Sequence, residues 1–273
     1  TTEIYTLSLH DALPIYNEKV TDISALKDLT QLSVLYMDNT EVTDISVLEN
    51  LTQLIILDIS NTKVIDIESL ANLANLERLN ISKTDIADIK ALGKLKNLKW
   101  LNMSETKVAD ISALESATAL RYFQAKSTQI SDISPLKNAE YMQSVFLDKC
   151  SNISKIDSLY DLERLEYLSV TETQVSDDER LEFAKKGLER NSYFKAQYEN
   201  IPNVGGLIST SESFSVEATG GNTNIVEITD GYKNRKDILY NEGGNVELTL
   251  TLNGSKTKVD ITVNAKDAEQ ETA

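Results

Sequence analysis

The chemically capable residue that recurs most regularly is aspartate: Asp22, Asp44, Asp66, Asp88, Asp110 and Asp132 stand 22 positions apart, each just ahead of an isoleucine. Such a column suits two chemistries. Stacked on successive turns of chain, the carboxylates would offer a ladder of oxygens to calcium, which takes roughly six to eight of them. Placed singly before a short helical turn, each would instead accept hydrogen bonds from free backbone N–H groups. The capping role is the expectation, because Lys155 interrupts the column and no loop with calcium-ligand spacing accompanies it.

Other reactive candidates are few. The single histidine, His10, gives a histidine-based acid–base apparatus almost nothing to build on. The single cysteine, Cys150, forms neither an internal disulfide nor a multi-cysteine zinc site. In Asp148-Lys149-Cys150-Ser151 it reads as a small buried filler, with Lys149 as the one neighbour able to lower its pKa. The sequence has no Gly-rich phosphate loop, no Ser/His/Asp pattern and no HExxH, and its carboxylates show no pairing beyond the repeat. No enzyme, metal or cofactor is expected. Asn80 and Asn102 each begin an N-x-S match, a pattern frequent by chance.

The balance of 43 acidic against 27 basic side chains in 273 residues gives a net charge of −16, without any basic run. Nucleic acid and anionic membrane surfaces, which need a cationic face, are therefore not expected as partners. No apolar stretch approaches the roughly 18 residues of a membrane span, so direct insertion is not expected either.

The elements that carry the aspartates follow from the same period. Val20-Thr21-Asp22-Ile23 returns as Val42 to Ile45, Val64 to Ile67, Ile86 to Ile89, Val108 to Ile111 and Ile130 to Ile133, then at Ile153 after one inserted residue, and at Val175. Leu26, Leu48, Leu70, Leu92, Leu114, Leu136 and Leu159 keep the register. One unit reads LxxLxxLxIxxxxIxxIxxL over Leu73 to Leu92. Leu79-Asn80-Ile81 suits a short strand with Asn80 outward, and the threefold spacing of Ile86, Ile89 and Leu92 suits a 3₁₀ turn. A lone coil has no neighbour to cover its open ends, so about seven coils must stack into a solenoid. Leu35, Leu57, Leu79, Leu101, Phe123, Val145 and Leu168 then form one inward column.

This pattern resembles the 22-residue leucine-rich repeat of internalin-like surface proteins of Gram-positive bacteria, over roughly 16–176. Where that family usually has an asparagine ladder, Thr40, Thr62, Thr84, Thr106, Thr128 and Thr173 stand here, with hydroxyls expected to bond turn backbone between coils. The opening Thr1 to Ile15, TTEIYTLSLHDALPI, resembles a translated sequencing adapter, which implies that His10 and Pro14 have no role and that the native N-terminus is absent.

Strand residues flanking the buried column are free of packing demands. They are Val34, Ile56, Arg78, Trp100, Tyr122, Ser144 and Tyr167 on one side, and Tyr36, Asp58, Asn80, Asn102, Gln124, Phe146 and Ser169 on the other. The candidate contact residues are Trp100, Tyr122, Phe146 and Tyr167, with Tyr36, Arg78, Asn102 and Gln124 as polar or peripheral help, since Trp, Tyr and Arg are enriched at binding hot spots. The plainer reading is that aromatics simply suit strand surfaces.

Past Val175 the repeat ends. Asp177-Asp178-Glu179 opens a helix with Leu181, Ala184 and Leu188 on one face, a cap for the last coil. Phe214 to Val216, Ile225 to Ile228 and Val246 to Leu252 read as strands, Asn253-Gly254 as a hairpin turn into Val259 to Val263, and Gly205-Gly206, Gly220-Gly221 and Gly243-Gly244 as punctuation. This stretch is similar to the small immunoglobulin-like modules that follow internalin-type repeats. The expected organisation is an adapter-like segment 1–15, an α/β leucine-rich repeat solenoid 16–176, a helical cap and linker 177–203, an all-β immunoglobulin-like sandwich 204–266 and a polar tail 267–273. The resemblance implies a monomeric, non-catalytic, adhesin-like binding protein, extracellular or attached to a cell wall, that recognises a protein or glycan on its concave face. The alternative is a targeting or spacer module of a larger extracellular enzyme.

Overall fold

The structure, a computed structural model, describes residues 12–15, 18–191, 214–230, 236–240 and 244–263. Eight three-residue strands form one parallel sheet in chain order: β1 (Ala12–Pro14), β2 (Val34–Tyr36), β3 (Ile56–Asp58), β4 (Arg78–Asn80), β5 (Trp100–Asn102), β6 (Tyr122–Gln124), β7 (Ser144–Phe146) and β8 (Tyr167–Ser169). Pairing sets Leu35 beside Leu57, then Leu79, Leu101, Phe123, Val145 and Leu168, the column read from the period. All seven are buried, each aliphatic contributing about 1.5–3 kcal/mol of transfer free energy. The ladder also takes in β1, inside the adapter-like segment: Leu13 lies one period before Leu35 and pairs with it. His10 lies outside the described residues.

Each coil returns through a 3₁₀ turn, such as Ser46–Asn50, Lys90–Lys94 and Ser112–Ser116. The capping role of the aspartates is realised. Asp22, Asp44, Asp66, Asp88, Asp110 and Asp132 each accept from the backbone N–H two residues on, at 2.8 Å. These backbone bonds, with the serine or lysine side chain at the same position, hold the carboxyls of Asp22, Asp44, Asp88 and Asp110 below their ordinary range.

The threonines act differently from the expectation. Thr40, Thr62, Thr84, Thr106, Thr128 and Thr173 donate to the carbonyl three residues earlier in their own coil, at 2.6 to 2.9 Å, rather than across coils. The regular coil-to-coil bonds at this corner come from the backbone, where the N–H of Asn39, Asn61, Lys83, Glu105, Ser127 and Lys149 reaches a carbonyl of the next coil, joined by the side-chain contacts Asn61–Asn39 and Thr128–Cys150. Those residues, with Glu172, have φ of 52 to 63°, a left-handed corner repeated once per coil.

The inserted residue alters the seventh coil. Its 3₁₀ turn shrinks to Asp157–Leu159, and Lys155 stands at the aspartate position. Glu179 brings a carboxylate to this turn, accepting from Ile156 N–H at 3.1 Å, one residue earlier than the N–H the aspartates cap, and pairing with Lys155 at 3.6 Å. Glu179 belongs to helix α1 (Asp177–Asn191), which buries Leu181, Ala184 and Leu188 as its apolar face requires.

Beyond α1, β9 (Phe214–Gly221), β12 (Gly244–Leu252) and β13 (Ser255–Val263) form an antiparallel sheet in the order β13-β12-β9. β10 (Val226–Asp230) and β11 (Lys236–Tyr240) pair separately. This arrangement is compatible with an immunoglobulin-like module. Asn253 and Gly254 make the hairpin turn, both at positive φ. Gly220-Gly221 ends β9 rather than separating elements: Gly221 has φ 70°, and a Cβ there would meet Asn245 O at 2.5 Å. Helix α1 packs against β13 and β12, so the last coil and the sheet share one cap. Gly205-Gly206, Gly243, most of the linker and the 267–273 tail lie outside the described residues.

Candidate functional site

Strands pack about 4.8 Å apart, and stacked repeats of this kind curve into a solenoid with an extended concave surface, to which the sheet is assigned. Its outward residues form two files, one from Val34 to Tyr167 and one from Tyr36 to Ser169, aligned by the strand register. Four of the candidate residues come together. Trp100 and Tyr122 stack at 5.3 Å with ring planes 9° apart. Tyr122 meets Phe146 at 5.1 Å and Phe146 meets Tyr167 at 4.8 Å, tilted by 44° and 35°. The strip crosses from one file to the other and back, passing over Ser144, whose small side chain leaves the room.

Cations cover ring faces at both parts of this strip. The Arg78 guanidinium lies 5.2 Å from the Trp100 centroid, and Lys126 Nζ lies 5.0 Å from that of Phe146. Lys126 is held by Asp148 at 3.0 Å. The other Asp148 oxygen accepts from the Ser169 hydroxyl, from Thr171 Oγ1 at 2.6 Å and from Thr171 N at 3.2 Å. Burial raises the Asp148 pKa, but the Ser169, Thr171 and Lys126 hydrogen bonds outweigh it and hold the carboxyl below its ordinary range. Asp148 thereby fixes the ammonium against Phe146, a role that sequence reading missed.

The amide oxygens of the polar file are engaged within the chain. Asn80 donates to Asp58 at 2.9 Å and accepts from Ser82 Oγ at 2.7 Å. Asn102 accepts from Ser104 N at 3.1 Å, and Gln124 accepts from the Tyr122 hydroxyl at 2.9 Å. Burial raises the Tyr122 phenol, so it stays a donor at neutral pH. Tyr36 is not brought into the strip: it stands on β2, three strands or about 14 Å from Trp100.

Cys150 takes the threonine's place in coil seven. Fully buried, it lies 3.0 Å from Ala125 O and 3.2 Å from Thr128 Oγ1, and burial raises its thiol pKa. Among the described residues, no group of three or more His, Cys, Asp or Glu side chains is placed to hold a metal ion. None of their helices is long and apolar enough to cross a membrane. A further cluster escaped the sequence reading: exposed Tyr141 lies between Arg121 and Arg164, with guanidinium carbons 5.8 and 4.7 Å from the ring centroid. The sequence signal is faint, since Tyr141 stands three residues ahead of β7 and outside both files.

No family model and no curated protein sequence matches the chain. Solved structures do. Internalin C2 of Listeria monocytogenes is 29% identical, over 61% of this chain and 73% of that one, with a TM-score of 0.59. Internalin F of the same organism is 32% identical, over 58% of this chain and 53% of that one, with a TM-score of 0.48. The leucine-rich repeat ectodomain of a plant membrane receptor kinase from Arabidopsis thaliana, solved with Casparian strip integrity factor 2, is 18% identical. It is matched over 61% of this chain and 24% of that one, with a TM-score of 0.50, a likeness of fold alone.

Proposed function

We propose that this chain, a leucine-rich repeat solenoid similar to the internalins, is a non-catalytic, adhesin-like receptor that grips a partner on its concave face, at or beyond the surface of a bacterial cell. Trp100, Tyr122, Phe146 and Tyr167 form the centre of contact, Arg78 and Lys126 flank it, and Asn102, Gln124 and Tyr36 lie around it. The observation that carries this reading is the continuous ring strip, which runs across four strands where the core makes no demand for aromatics.

Of the two partner classes expected from the sequence, the geometry favours protein over glycan. A sugar stacks its C–H face on an open ring face, whereas Trp100 is covered by Arg78 on one side and Tyr122 on the other, and Phe146 is flanked by Tyr122, Tyr167 and Lys126. From Trp100 to Phe146 this leaves ring edges outward, which carry partial positive charge and suit carbonyl and carboxylate oxygens of a polypeptide. The neighbouring amide oxygens, with the Asn80 amide nitrogen, are already engaged within the chain, which leaves fewer acceptors for sugar hydroxyls.

A binding screen of the 273-residue chain against arrayed surface proteins and glycans tests this, beside a variant with Trp100, Tyr122, Phe146 and Tyr167 changed to Ala. A protein held by the parent and lost by the folded variant is the expected result. A partner held equally by both places the site elsewhere, and capture of glycans alone overturns the choice of protein.

A further inference from the structure

Cations of the solenoid pair with carboxylates, lie over rings or, in the case of Lys126, do both. Lys90, Lys99, Lys107, Lys126, Lys137 and Lys149 each pair with a carboxylate, and so does Lys155. The arginines of the repeat lie on rings instead: Arg78 on Trp100, and Arg121 with Arg164 on the one ring of Tyr141. Neither Arg121 nor Arg164 makes an ion pair or a side-chain hydrogen bond among the described residues. Stacking orients a guanidinium while leaving the N–H donors at its edge available for a carboxylate fork.

Carboxylates are nevertheless close by. A cavity of about 440 Å³ opens beside Tyr141 and Arg164, with Glu140, Asp161 and Glu163 on its wall. Lys137, also on that wall, is directed to Glu115 at 3.8 Å. Opposite charges are thus set side by side at this rim without being joined to each other. The rim also adjoins the ring strip, since Arg121 immediately precedes Tyr122.

We propose that Arg121, Tyr141 and Arg164, with the carboxylate-lined cavity next to them, form a second recognition surface for an extended polypeptide segment in which acidic and basic residues alternate. Successive side chains of an extended segment point to opposite sides, and alternate ones on the same side lie about 6.8 Å apart. Acidic side chains on one side meet the two guanidiniums, while basic ones on the other side reach Glu140, Asp161 and Glu163. A simple polyanion is repelled by those carboxylates and by the chain's net charge of −16, and a simple polycation by the arginines. The proposal shares with the receptor reading the premise that the partner is protein, but it uses different residues.

The test titrates the 273-residue chain at low ionic strength with three capped eight-residue peptides, alternating Glu-Lys, all-Glu and all-Lys, and follows backbone amide shifts by NMR. The alternating peptide is expected to shift residues around 121, 141 and 164 and to bind about tenfold more tightly than either homopolymer. Changing Arg121 and Arg164 together to Ala should weaken it about tenfold, as should Tyr141→Ala, whereas Tyr141→Phe keeps the stack and should bind like the parent. Equal binding of the all-Lys peptide with no effect of the arginine changes overturns the proposal, as do preference for all-Glu or the absence of any shift. The variant lacking the four strip aromatics should bind the alternating peptide unchanged. If that holds while the partner screen fails, only the concave-face reading falls.

Discussion

Trp100 and Tyr122 occupy equivalent places on neighbouring strands, 22 residues apart in sequence, and their rings stack at 5.3 Å with planes 9° apart while Leu101 beside them is fully buried. One strand therefore presents two distinct roles a residue apart. Trp100→Ala should cost only about 1–2 kcal/mol, the worth of its ring and cation contacts, whereas Leu101→Ala should cost about 2–5 kcal/mol through an internal cavity. Urea denaturation followed by circular dichroism checks both. A loss at Trp100 as large as at Leu101 would make the strip part of the core.

How much of this was legible in the sequence depends on which interactions the period encodes. A 22-residue spacing fixes which side of the strand a residue occupies, so the column through Leu79 and Leu101 and both files are as read, except that Ser169, expected outward, is buried against Asp148. It does not fix what a long side chain does after leaving the strand. Lys126 crossing to Phe146, Asp148 gathering Ser169 and Thr171, and two arginines meeting on Tyr141 depend on rotamers and on neighbouring coils. The Glu179 carboxylate reaching coil seven is invisible for the same reason, because it comes from a helix after the repeat to a turn where Lys155 stands in place of aspartate. Even the threonine hydroxyls, correctly placed in register, donate to the carbonyl three residues back in their own coil, a choice of rotamer that the period does not encode.

The left-handed corner makes a stability prediction. Asn39 and Asn61 suit φ near 55°, and Asn61 Nδ2 also donates to Asn39 Oδ1 at 2.7 Å. Lys83 and Glu105 occupy the same corner with side chains that disfavour it. Glu105→Asn should stabilise by about 0.5–1 kcal/mol and Asn61→Ala should destabilise by about 1 kcal/mol, read from urea midpoints at constant slope. Opposite signs would show that the corner is not strained.

Acid should unfold the solenoid through its caps. Backbone hydrogen bonds lower the carboxyls of Asp22, Asp44, Asp88 and Asp110 in the folded chain, and the hydrogen bonds from Ser169, Thr171 and Lys126 do so for Asp148 against the effect of burial. A group whose folded pKa lies below its unfolded one adds stability that is fully present above the unfolded value and is lost as pH falls through the folded one. Melting temperature should therefore stay flat near neutrality and drop below about pH 4. Asp88→Asn, which keeps an acceptor but does not titrate, should shallow that drop. A profile identical to the parent would mean that the cap at Asp88 contributes nothing to acid stability.

Cys150 offers a probe of the repeat's cohesion. Its thiol is fully buried between Ala125 O and Thr128 Oγ1, and burial raises its pKa, so both access and thiolate formation are suppressed. A disulfide reagent at pH 8 should react with the native chain only as fast as the seventh coil opens, and with the urea-unfolded chain at once. Cys150→Thr restores the residue found at this place in the other coils and should leave stability within about 1 kcal/mol of the parent, whereas Cys150→Ala removes the donor to Ala125 O and should cost about 1 kcal/mol more. Because Thr128 and Ala125 belong to the sixth coil, the loss should also speed labelling of a cysteine introduced at Thr128. Rapid labelling of native Cys150 itself would show that coils six and seven separate in solution and that the strip from Trp100 to Tyr167 is not one rigid surface.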